Sequence, residues 1–181
     1  MNNGLDQLTI QFGLLHDCIR ACIYADYIMR KEVKHDAWWS IADMCYADAV
    51  TSWNCIFGAN SQESHWKKFV SQAAIPQKSN LNPFSRGLLV QHLGISETAW
   101  GEFWKSMTDV RNKEISHIDP SHSFDHLPNT TLLLHSACFY RDWLIALMEE
   151  QRKSGKNISF EGPTNKEVIH LFKTQIKTAC K

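Results

Sequence analysis

The chain has 181 residues, of which 44% are hydrophobic and 21% charged, the balance of one globular domain with a substantial core. Nineteen lysines and arginines offset nineteen acids, so no overall field draws in a polyanion; contact with nucleic acid would need a local patch or one made by assembly. Five prolines and eight glycines argue against a many-turned β protein, and no apolar run approaches the length of a membrane span.

The first helical segment runs from Leu5 to about Val33. Leu8, Phe12, Leu15, Ile19, Cys22 and Ile23 recur there at three-to-four spacing. A second helix starts at His35-Asp36, with Asp36 as N-cap, and ends near Gly58 as the C′ residue. Its stripe is Trp38, Ala42, Cys45, Ala49 and Ile56, widened by Trp39, Tyr46 and Trp53. The short joint between two long segments predicts an antiparallel hairpin.

Two short helices follow, Ser64 to about Gln72 and Phe84 to Leu93, on either side of an irregular stretch with Pro76 and Pro83. Ser96 caps a long central helix that stops at Asp119-Pro120, because proline disfavours helical geometry in the residue before it. After a polar loop, Asn129 caps a helix to about Lys153, with Gly155 as its stop signal. Thr164 or Asn165 starts a final helix carrying Val168, Ile169, Phe172 and Ile176. No segment alternates with period two for long enough to demand a strand. The expected fold is all-α, a bundle of four to five main helices in one domain over residues 1–181.

Cys18, Cys22, Cys45, Cys55, Cys138 and Cys180 mostly fall inside helical patterns and lack the paired spacing of a zinc ribbon. They read as small buried hydrophobes, and with no secretory signal the expected compartment is the reducing cytoplasm. Trp38, Trp53, Trp100 and Trp104 fit core stripes better than base-stacking platforms.

The central helix breaks its own pattern. Trp100, Phe103, Trp104, Met107, Val110, Ile115 and Ile118 share one arc of the helical wheel, yet Arg111 and Glu114 fall inside it. A guanidinium on a core-facing stripe must be paired or turned toward a shared interface. His117, six positions after Arg111 and roughly 120° around an ideal helix, comes onto the same face only if the helix ends or distorts. A second copy across a two-fold axis would also bring two histidines and two arginines into one cleft. Arginine presents a bidentate fork to phosphate, histidine exchanges protons near neutrality, and Asn112 can orient either one. Together they suit metal-free RNA cleavage. The bland alternative pairs Arg111 with Glu114 or another acid and leaves His117 as a cation at the helix end.

The run Arg111-Asn112-Lys113-Glu114-Ile115-Ser116-His117 resembles the arginine-polar-x4-histidine signature of HEPN domains, and its close is similar to the ending common in abortive-infection-like members. The resemblance implies a HEPN-like helical bundle, a face-to-face homodimer, and metal-independent endoribonuclease activity of a toxin or anti-phage effector. It implies Arg111, Asn112 and His117 as catalytic residues, RNA as substrate, no cofactor, and a possible cognate antitoxin. Lys113, Ser116 and His122 are candidate substrate contacts. A subset of such toxins carries a tyrosine two residues after the histidine; Asp119 stands there, which puts silencing through that residue in doubt. Two other readings stand beside this one. The first is a non-catalytic helical dimerisation or interaction module of a defence system. The second is a metal site among His117, Asp119, His122, Asp125 and His126, whose spacings match no defensible metal motif.

Overall fold

The structure, a computed structural model, describes residues 3–31, 36–115, 130–156 and 162–180. Among these residues there is no strand. Five longer α-helices, α1 (Asn3–Arg30), α2 (Asp36–Phe57), α5 (Glu97–Val110), α6 (Thr130–Lys153) and α7 (Asn165–Ala179), are joined by two short ones, α3 (Trp66–Gln72) and α4 (Arg86–Leu93). The expected all-α bundle is the observed one. No helix among the described residues is long and apolar enough to cross a membrane.

α1 and α2 form the expected antiparallel hairpin. Ile28 packs with Ala42, Arg20 approaches Asp48 at 3.9 Å, and Gln11 Nε2 donates to the Ser64 carbonyl just beyond α2. Rising numbers on one strand of the hairpin thus meet falling numbers on the other. α7 lies along α1, where Phe172 meets the rings of His16 and Tyr24 edge to face.

The core is aromatic. Trp53 on α2 is fully buried against Phe57, Trp100 and Phe103, with ring centroids 5.2–5.9 Å apart. Burial of each such side chain is worth about 2–3 kcal/mol, and tilted or edge-on pairs add about 1 kcal/mol. Three indole N–H groups find acceptors: Trp53 bonds Ser136 Oγ, Trp104 the Phe57 carbonyl, and Trp143 the Asn82 carbonyl. Phe84 belongs to this core and not to a helix. It precedes the N-cap Ser85 and inserts between Trp66, Tyr140 and Trp143.

The caps follow local chemistry. Ser96 accepts from the Ala99 N–H, and Thr164 forms a reciprocal capping box with Glu167. Gly94 and Gly155 take left-handed φ of 65° and 92° behind α4 and α6. Four expectations shift. Asp36 is the first residue of α2 and not its cap, where its carboxylate still suits the helix dipole. α1 ends at Arg30, short of Val33, and residues 32–35 lie outside the described residues. α3 begins at Trp66 and not at Ser64, because His65 caps it. Gly58 does not take the left-handed conformation of a C′ glycine. It is buried so close to Asn54 that a Cβ would run into the Asn54 carbonyl, so lack of volume is what the position demands.

Candidate functional site

The central segment departs most from the expected continuous helix. α5 is α-helical through Val110, and its inner face of Trp100, Phe103, Met107 and Val110 is buried as the stripe predicts. From Arg111 to Ile115 the backbone widens into a π-helical turn. Isolated π turns inside α-helices occur often at functional sites. Two polar side chains intrude on the hydrogen-bond ladder just upstream. Thr108 Oγ1 donates back to the Trp104 carbonyl at 2.9 Å. Asn54, buried on α2, donates to the Met107 carbonyl at 3.1 Å, the same carbonyl that accepts the Arg111 N–H. Back-bonding and side-chain insertion both loosen an α ladder, and here they act in the turn before it opens.

The π turn sets the first half of the motif. Arg111 is half-buried and not in the core, a correction to its place on the apolar stripe. Its Nη1 donates to Asn112 Oδ1 at 2.8 Å. Adjacent side chains on a regular helix diverge, so this contact uses the length of the arginine. It occupies one of five guanidinium N–H donors and fixes the plane of the group. Lys113 reaches Asp109 at 3.7 Å on the outer face. Glu114 faces α2, where its charge adds to burial in raising the Tyr46 phenol above its ordinary pKa. The Tyr46 hydroxyl is buried and finds no hydrogen-bond partner among the described residues.

Arg111 opens on a cavity of about 560 Å³ between α1, the end of α2 and the start of α3. Gln7, Ile10 and Gln11 come from α1, Cys55 from α2, and Ser64 and Phe69 from the α3 side. Burial raises the Cys55 thiol pKa, and the charge of Arg111, which lines the same cavity, opposes that shift. Gln11 is buried, with Nε2 bound to Ser64 and Oε1 without a partner among the described residues. The cavity could not be read from periodicity, since it joins residues far apart in the chain. One signal was available: Gln11 is a polar residue on the inner stripe of α1, the same kind of anomaly that singled out Arg111.

Of the sequence-identified residues, Arg111, Asn112 and Lys113 are brought together on the π turn. Ser116, His117 and His122 lie outside the described residues, as do Asp119, Asp125 and His126. A second arginine tempers the argument from burial. Arg141 on α6 is more buried than Arg111, at 4% exposure, yet it is a structural link. Its guanidinium donates to Asn165 Oδ1 and to the Pro163 carbonyl, and it lies over the Phe12 ring. It ties the start of α7 to α6 and α1.

All six cysteines are free thiols, and Cys18 and Cys22 are buried on α1 as expected. Burial, with Cys22 close by, raises the Cys18 thiol well above its ordinary pKa and favours its protonated form.

The fold and this turn define an all-α helical bundle with a basic, polar motif on a local distortion. No protein-family model, curated protein or solved structure matches the chain.

Proposed function

We propose that the chain is a HEPN-type, metal-independent endoribonuclease that acts as a homodimer, with the role of a toxin or anti-phage effector in the cytoplasm. The observation that carries this reading is the coincidence of the π turn with Arg111-Asn112, the first part of an arginine-polar-x4-histidine run, at the mouth of a cavity of about 560 Å³. In the proposed reaction a His117 imidazole takes the proton of the ribose 2′-hydroxyl. The 2′-oxygen attacks the adjacent phosphorus and the bond to the 5′-oxygen breaks. Water supplies a proton to that leaving oxygen, and the hydroxide left behind takes up the proton held by His117, so one His117 serves each cleavage beside Arg111 of the second copy. The products are a 2′,3′-cyclic phosphate and a 5′-hydroxyl. Arg111 neutralises charge that builds on the phosphoryl oxygens, where its fork suits two of them at once. Asn112 holds the guanidinium plane, and Lys113, Ser116 and His122 contact the flanking RNA.

The purified protein is expected to cleave RNA in the presence of a chelator. Arg111→Ala and His117→Ala are each expected to lower the rate by at least a hundredfold while the far-ultraviolet circular dichroism stays unchanged. Equal cleavage by wild type and both variants sinks the assignment. A second reading, a non-catalytic interaction module, is favoured by one feature of the same cavity. Ile10 lines it and is 52% exposed, and an apolar side chain beside a guanidinium also suits a protein partner. Under that reading RNA stays intact and the Arg111 variant loses partner binding.

A further inference from the structure

The other end of α1 carries a second cavity of about 580 Å³, of a size that suits a small organic ligand. Asp26 on its wall lies fifteen residues from Gln11 along α1, about 22 Å at the rise of an α-helix. It is therefore separate from the cavity at Arg111.

Its charge is lopsided. Arg30, Lys31, Lys173 and Lys177 line it against one carboxylate, Asp26. This is a concentrated positive site on a chain whose net charge is zero. Two of the cations have work in the fold. Arg30 Nε pairs with Asp26 Oδ1 at 2.7 Å. Lys31 Nζ donates to the Cys180 carbonyl and sits 5.6 Å from the Tyr27 ring centre, which ties the end of α7 to α1. Lys173 and Lys177 have none: both are exposed, and no described residue pairs with either. They stand four apart on α7, a like-charge spacing that weakens a helix unless an anion lies between. The floor below them is apolar, formed by buried Ile23 with Tyr27 and Leu134.

We infer that this cavity binds a small organic phosphate, with the phosphate held between Lys173, Lys177 and Arg30 and an apolar or aromatic body laid on Tyr27, Ile23 and Leu134. A phosphate monoester carries close to two negative charges at neutral pH, which matches unpaired ammonium groups better than a single carboxylate does. Lysine serves such a head as a point charge. The inference is independent of the ribonuclease reading.

The same phosphate chemistry is offered by an RNA chain, so the test has two arms. The full chain is titrated with 1-naphthyl phosphate, 1-naphthol, inorganic phosphate and a single-stranded oligoribonucleotide, with binding followed by calorimetry. 1-Naphthyl phosphate is expected to bind one to one, at least tenfold more tightly than either inorganic phosphate or 1-naphthol. The double variant Lys173→Ala/Lys177→Ala is expected to weaken it at least tenfold. Lys166→Ala, on the same helix outside the cavity, is expected to leave it unchanged. Absence of saturable binding, equal binding by the double variant, or loss of oligoribonucleotide binding alone in that variant each overturns the inference.

Discussion

His65 shows how a single side chain can be forced by its neighbours into a role its residue type does not suggest. It is almost fully buried, it stacks on Trp66, and its Nδ1 accepts the Lys67 N–H as the cap of α3. An acceptor nitrogen cannot be protonated without losing the cap. Burial, with Lys67 close by, lowers the His65 pKa from 6.5 to about 4. The unfolded chain therefore takes up a proton before the folded one does as pH falls. The stability that neutral His65 contributes is fully present above pH 6.5 and is lost as pH drops toward 4. A shift of this size corresponds to about 3 kcal/mol. His65→Asn keeps a cap acceptor and removes the titration. Urea unfolding at pH 7 and pH 4 is expected to show a loss in wild type that exceeds the variant's loss by roughly that amount. Parallel losses in the two proteins would contradict the assignment. The residue scale is also where a correct boundary can hide a wrong cause. Gly58 follows the end of α2 as expected, but what it satisfies is a close approach to Asn54 and not a left-handed φ.

At the scale of elements, the legible features were those encoded within one turn of chain. Ser96 announces α5, Thr164 or Asn165 announces α7, and Gly155 marks the end of α6, because each cap closes over three or four residues. The π turn was not legible. Its flanking hydrophobic pattern is ordinary, and one of the side chains that disturb the ladder, Asn54, is 53 positions from the Met107 carbonyl it bonds. A helical wheel has no place for an intruder from another helix. Arg111 and Asn112 could be singled out from the sequence, and the turn that takes them out of the α-helical register could not. Asn54 also donates to Val50 on its own helix, so Asn54→Ala removes two buried hydrogen bonds. The expected cost is about 1–3 kcal/mol. Amide exchange is expected to accelerate over 107–115 more than over α7. Uniform acceleration, or none, would mean that Asn54 does not hold the end of α5.

For the molecule as a whole, the bundle was readable and the site only in part. An inner stripe on each helix is enough to specify an all-α core, but cavities arise where helices of distant sequence meet, as Gln11, Cys55 and Arg111 do. The proposed chemistry adds a further level, since two copies would supply one cleft. This composite character has a consequence that neither single variant can reveal. Arg111→Ala and His117→Ala proteins are each expected to be inactive. Mixed, unfolded and refolded together, they form heterodimers in which one chain retains Arg111 and the other His117. Random pairing makes about half the dimers mixed, each with one intact Arg/His set of two, so roughly a quarter of wild-type RNA cleavage is expected to return. Circular dichroism and sedimentation of the mixture check that refolding and assembly succeed. If the mixture sediments as a dimer and stays inactive, then Arg111 and His117 do not act across the two-fold axis, and a site within one chain becomes the better account.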